Sequence, residues 1–435
     1  MRTCCFIFVL LFSASLHAQS LFEDAVSGDA EQPDAAQAEP HELNGYVRGV
    51  FYGGKVPERD EAEMKSGYGE AAIKLRVRKQ DFGDGFAELR FRRGHEFNEE
   101  VSEVTLREAY VNMYVGRFDV RFGHQIVVWG RADGFNPTDT ITPKNMQVRS
   151  PDEDDRRAGN FLIRFFCNLD PFRLEAIWIP VYAASVLPTG MMSLPPGMSL
   201  TAPEYPDANL KNSAFAVKLN LERASFDGSL SYFNGYNPSP GMDADASGIR
   251  LRAYKMHVAG ADFSTTLGSY GFRGEFAYRT PHEDYEKHSY IPNPDLQIIL
   301  GADRAFGDFS VILQYIGRTV LDFAELSEPQ TPEERLKYER TRKNRMFSSQ
   351  SDEISHAVSF RPAWKLLYET LDLEVAGLVN FTTEEFLVKP KVSYDIADAL
   401  RLTAGGEFYS GPDGTLYDTM DETLSTFFVE LKTSF

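Results

Sequence analysis

Residues Arg117 to Lys144 read RFDVRFGHQIVVWGRADGFNPTDTITPK, and the fold is decided in this stretch. Its first half alternates. Phe118, Val120, Phe122, Ile126 and Val128 fall on one side of an extended chain, with Arg117, Asp119, Arg121 and Gln125 on the other. Its second half is a Trp-Gly corner and a loop rich in Gly, Asn, Pro and Asp, which cannot continue a ladder. One such strand fits any half-buried sheet, so the class depends on how often the design recurs.

It recurs along the whole chain. The spacing predicts strands at Leu43–Gly53, Tyr68–Lys79, Gly85–Gly94, Glu103–Val115 and Arg117–Trp129, then from Gly159 onward to a last strand at Thr423–Phe435. A single strand is expected over Arg250–Leu267. The tally is about eighteen, an even number within the range of bacterial outer-membrane barrels. Every second connection is short, as at Gly116-Arg117, Asp170-Pro171 and Gly307-Asp308, whereas nearly all the others are long and charged or Gly/Pro-rich. Such parity is expected when short turns face the periplasm and long loops face outward. In hydrocarbon every backbone donor and acceptor must be satisfied internally, and a sheet achieves that only by closing. The expected fold is all-β, a transmembrane antiparallel β-barrel. A soluble propeller requires similar four-stranded repeats, and none is visible.

The ends of the chain fit this class. MRTCCFIFVLLFSASLHAQS reads as a secretory signal peptide over residues 1–18, although Leu16 departs from the small-residue rule near the cut. Residues 19–42 read as an acidic, flexible periplasmic leader and 43–435 as the barrel. Cys4 and Cys5 leave with the signal, so Cys167 remains alone and no disulfide framework is available. The final strand alternates Phe427, Val429, Leu431, Thr433 and Phe435, and its terminal Phe435 resembles the signal that barrel-insertion machinery reads. The other expected partners are outer-membrane lipid and small hydrophilic solutes. Monomer and trimer both fit the pattern. With 33 Phe and 20 Tyr the chain has the aromatics that interfacial girdles require, and its net charge of −19 disfavours nucleic acid.

Chemistry is concentrated on the polar face. Arg48, Lys74, Arg76, Arg78, Arg90, Arg92, Arg117 and Arg121 fall on neighbouring strands as a basic arc, with Glu88, Glu108 and Asp119 interleaved. The arc has two readings. It is either a cationic wall that concentrates anions in a low-dielectric pore, or a self-neutralised ladder that keeps the lumen rigid. The loop after Trp129 is the candidate constriction, with Gln125, Trp129, Arg131, Asp133 and Asp139 as its loop residues and Trp129 expected at the outer membrane interface. Asp133, Asn136 and Asp139 lack the spacing of a calcium loop, so no metal is expected. Pro332–Met346 has helical composition, acidic early and basic late. The loop with Met191, Met192 and Met198 is apolar enough to enter the pore or touch lipid. No histidine sits in a hydrolase or zinc-protease motif, so neither catalysis nor a cofactor is expected.

The run Gly123-His124-Gln125, then Trp129-Gly130 and Asp133, resembles the Gly-x-Gln-x-x-x-Trp-Gly signature of a family of uncharacterised outer-membrane barrels, similar in outline to alginate-export and porin-type channels. The resemblance covers about twenty-five residues, and it implies that Gln125, Trp129, Arg131 and Asp133 brace the first large loop. The sequence therefore points to a channel for small hydrophilic solutes, anionic ones under the first reading of the arc. Two other classes stay open: a surface protein whose loops bind ligands on a barrel scaffold, and an export partner engaged through the leader.

Overall fold

The computed structural model describes residues 41–55, 61–79, 82–97, 99–187, 199–245 and 248–435. The signal and most of the leader lie outside these residues, as do Met191, Met192 and Met198; His41 and Glu42 already belong to the first strand. The first strands are β1 (His41–Lys55), β2 (Ala62–Lys79), β3 (Gly83–Glu96), β4 (Glu99–Val115) and β5 (Phe118–Gln125). After a long loop come β6 (Asn160–Leu169), β7 (Phe172–Ile179), β8 (Ala214–Arg223) and β9 (Phe226–Tyr236). A small hairpin, β10 (Gly241–Asp245) with β11 (Gly248–Arg252), stands apart from the main sheet. The sheet resumes with β12 (Lys255–Leu267), β13 (Tyr270–Pro281), β14 (Asp295–Phe306), β15 (Phe309–Val320) and β16 (Ile354–Leu366). It ends with β17 (Leu371–Asn380), β18 (Glu385–Ala397), β19 (Leu400–Ser410) and β20 (Thr426–Ser434).

These pairings make one 18-stranded antiparallel sheet that closes on itself. β20 pairs with β1 from Tyr46↔Ser434 to Gly54↔Thr426, leaving no free edge among the described strands. The start of β1 and the end of β20 both lie at the end with the short turns. Side chains alternate across the wall. In β1, Leu43, Val47 and Phe51 are about half exposed and point to lipid, whereas Tyr46, Arg48 and Tyr52 are buried inside. Exposed aromatics gather at both ends of the wall. Phe118, Phe172 and Tyr270 lie near the turns, while Tyr232, Tyr278 and Tyr315 lie near the loops.

Three expectations need correction. The opening strand stops at Gln125 rather than Trp129, because the chain leaves the ladder there: Glu108 Oε1 accepts the Ile126 N–H at 2.8 Å and Thr142 Oγ1 the Val127 N–H at 2.8 Å. Trp129 does not mark the membrane interface. It is 3% exposed and packs inside the barrel. The strand expected over Arg250–Leu267 is divided between the outer hairpin and β12.

Candidate functional site

The β5–β6 loop folds into the lumen, and its base is knotted to itself. Thr142 Oγ1 accepts from Val127 N–H and donates back to Val127 C=O at 2.7 Å. Val127, Trp129 and Ile141 then pack on inward-facing Leu162, Ile177, Ala216, Phe233, Val258 and Ala277. The inner face of β6–β13 is thus apolar near the loop end because the loop covers it, against the simple rule of a wet lumen. Continuous apolar runs in β6 (Phe161-Leu162-Ile163) and β7 (Ile177-Trp178-Ile179) carry that signal, since a strand buried on both faces loses its alternation. Gln125 is wholly buried and donates to Leu162 C=O at 3.0 Å. The Lys218 ammonium lies 5.8 Å from the Trp129 ring.

Beyond this base the loop has two lobes. The first, 130–139, crosses to the far wall. Glu275 of β13 accepts the N–H groups of Arg131 and Ala132 at 2.5 and 2.7 Å, and the Thr138 hydroxyl at 3.1 Å. Arg131 pairs with Asp262 at 2.6 Å, and Asp262 also meets Lys218 at 3.2 Å. Gln314 of β15 both accepts from Asp133 N–H and donates to its C=O, each at 2.7 Å, while Asp133 pairs with Arg361 of β16. Gly130 has φ +104°, and a Cβ there would lie 2.5 Å from Glu275 Oε1, so only glycine allows this approach.

The second lobe, 148–157, docks where the basic arc was expected. Asp155 pairs with Arg48 at 2.8 Å and Arg90 at 2.6 Å. Arg48 also holds Glu70 and Glu430, and Arg92 holds Glu70 and Glu96. Arg149, 1% exposed, lies 4.6 Å over the Tyr52 ring and donates to Thr426 Oγ1. Glu153 pairs with Lys389, and Arg157 with Asp139 at 2.5 Å, tying the lobes together. Burial pushes the Asp155 carboxyl up, but Arg48 and Arg90 outweigh it and hold it well below the ordinary carboxylate range. The Lys389 ammonium holds Glu153 down at about 2 despite burial. Burial pushes Asp152 up.

The arc therefore divides. Arg48, Arg90 and Arg92 are at most 9% exposed and spend their charge inside the wall. Lys74, Arg76 and Arg121 are half-buried on the turn side, and Arg78 and Arg117 are exposed there. Arg121 donates to Asn112 at 2.6 Å and covers Tyr110, Lys74 is 3.9 Å from Glu88, and Arg78 pairs with Glu42 at 3.1 Å. Sequence reading puts Glu275 on the polar face of its strand and Asp155 in the acidic block of the loop without their partners, and it missed Gln314, Arg361 and Arg149. The strand alternation places Glu275, Gln314 and Arg361 in the lumen, but nothing local marks their partner.

Above the loop lies a cavity of about 1040 Å³. Its floor includes Gly134, Phe135 and Pro137, and its wall Arg279, Tyr290 and Asp295. Its cover is α1 (Pro332–Phe347), through Lys337, Arg340 and Asn344, with α2 (Leu416–Leu424) beside it. α1 is held by Asn344, which donates to Met242 C=O at 2.7 Å and accepts Met242 N–H at 3.1 Å. The helix expected at Pro332–Met346 thus roofs a vestibule. Among the described residues no cluster of His, Cys, Asp and Glu is arranged to hold a metal.

A closed 18-strand barrel with a lipid-facing apolar wall, aromatic ends and a loop folded inside defines an outer-membrane barrel of porin-type build. No protein-family model and no curated protein sequence matches the chain. Solved structures do. OccAB4 of Acinetobacter baumannii matches with a TM-score of 0.55 at 9% identity, over 92% of this chain and 98% of that one. OccAB3 of the same organism gives 0.54 at 9%, over 91% and 99%. OccK5 (OpdH) of Pseudomonas aeruginosa gives 0.53 at 10%, over 92% and 99%. At such identity the likeness shows the shared fold.

Proposed function

We propose that this protein is an outer-membrane channel through which small hydrophilic solutes diffuse, selected by charge at a loop-narrowed lumen with no chemical step. The observation that carries the reading is the placement of the β5–β6 loop. Its lobes cover the inner face of β1–β4, β6–β9 and β12–β13 and reach β15, β16 and β18 through Gln314, Arg361 and Lys389, leaving open the luminal charges of β17 and of the turn side. On β17 this is Glu374, paired with Lys391 of β18 at 2.9 Å. On the turn side they are Lys74, Arg76 and Arg121, together with Asp84, Asp119, Arg401 between Asp372 and Asp395, and Arg273 beside Asp303. Lys74, Arg76 and Arg121 gather on one wall of that side, and in a low-dielectric pore such a basic group enriches anions. Arg92 pairs instead within the wall with Glu70 and Glu96, and Arg48 and Arg90 act as anchors for the loop.

Gln125, Trp129, Arg131, Asp133 and Asp139 serve as its braces, in keeping with the role implied by the signature resemblance. That family's likeness to alginate-export channels belongs to the same proposal. Residues 1–18 direct export and 19–40 form the leader, β1 beginning at His41. Phe435, whose backbone exchanges both hydrogen bonds with Gly45 at 2.9 and 3.0 Å, is offered to the insertion machinery.

Planar-bilayer recording of refolded protein tests the reading. Discrete steps with an anion-leaning reversal potential are expected. Neutralising Lys74, Arg76 and Arg121 together should move that potential toward cations. A membrane without steps would overturn the channel itself, and an unmoved potential would overturn the selection mechanism.

A further inference from the structure

We propose that Glu275 is the positioning residue of the constriction, a receptor on the far wall into which the segment Trp129–Gly134 hooks. The proposal deepens the channel reading and rests on it for the conductance readout alone. The first lobe is built as a flap. Its base is closed by the Val127–Thr142 exchange and the apolar cluster, and its tip is free of the network that seats the second lobe except at Asp139–Arg157.

Glu275 is 3% exposed, and among the described residues no Lys or Arg lies within ion-pair distance of it. Its charge is answered by two backbone N–H groups of the hook and by the Thr138 hydroxyl further along the same lobe. A buried carboxylate satisfied in this way belongs to the hook and to nothing else in the wall. The hook is shaped for it, since Gly130 and Gly134, with φ +104° and +80°, bend the chain on either side of the donors. Removing the carboxylate leaves the Arg131 and Ala132 N–H groups buried without an acceptor, which drives the tip toward water. With Asp262 at Arg131 and Gln314 and Arg361 at Asp133 as its remaining ties, the flap then loosens about its base and the aperture widens.

The test uses the full barrel, refolded in detergent, with Cys167→Ser and a spin label on Phe135→Cys at the flap tip, where Phe135 is 40% exposed. In the otherwise unchanged protein the label should be immobilised. Glu275→Ala should shift it to a mobile line shape and raise single-channel conductance. Glu275→Gln keeps one acceptor oxygen and should fall between. Gly130→Ala attacks the same contact from the loop, so it decides the matter even if the wall variant fails to fold. A label that stays immobilised in folded Gly130→Ala and in any folded Glu275→Ala overturns the proposal. Absence of channel steps in the unchanged protein overturns the channel reading, while the label's line shape still decides whether Glu275 holds the flap.

Discussion

Arg48 meets Glu70, Asp155 and Glu430 within 3.1 Å, so its removal takes a shared cation from three carboxylates of a buried wall, of which Glu70 keeps Arg92 and Asp155 keeps Arg90. Arg48→Ala is expected to destabilise the barrel by about 3–5 kcal/mol, the range for breaking one side of a buried ion pair, measured by urea unfolding in detergent. Arg76→Gln, at a half-buried position over Phe86, should leave the unfolding midpoint unchanged and act on selectivity only. In the sequence the two arginines look alike, each on the polar side of an alternating strand. What separates them is Asp155, which arrives from a loop 107 positions beyond Arg48 and follows no period. The same lobe sets an acid limit. Asp155 and Glu153 have carboxyls held below their unfolded values, so their contribution is present above about pH 4. It is lost as pH falls toward the folded values, about 2 for Glu153. Asp152, pushed up, works in the opposite sense. Conductance should therefore hold from pH 7 to about 4 and change below it, as a titration of open-channel current would show.

The helix over the vestibule shows how far a local signal reaches. Thr331 accepts from Glu334 N–H at 3.2 Å and Glu334 returns the bond to Thr331 N–H at 3.2 Å, a capping box with Pro332 at the first turn. Those residues make the helix legible from sequence. Its position as a roof is not, because that depends on Asn344 meeting Met242 and on Arg342 donating to Gly414 C=O at 3.4 Å. Thr331→Ala should weaken the helix by about 1 kcal/mol and speed exchange of the amides at its start. Barrel unfolding should be unaffected, and hydrogen-exchange mass spectrometry separates the two. The first lobe follows the same logic. Trp129 and Gly130 announce a corner, while the receptor for that corner lies 145 positions beyond Gly130, at Glu275.

The barrel itself is the most legible object. Period-two alternation and the parity of short and long connections specify strand number and facing, because lipid on one side and water on the other leave each strand one acceptable phase. The pattern misleads only where the loop replaces water, at Leu162, Ile177 and Phe233. The lipid side offers a direct check. Val429 is half exposed on β20, and Val429→Arg should cost about 2–4 kcal/mol if it lies at the midplane, read from unfolding in lipid vesicles. Arginine tolerated there would contradict the assigned facing.

The second lobe holds both ends of the chain at once. Arg149 reaches Leu424 and Thr426 at the start of the last strand, and Asp155 reaches Arg48 in the first. The lobe thus straddles the closing seam of the ring, and its full set of contacts exists only where β20 and β1 are paired.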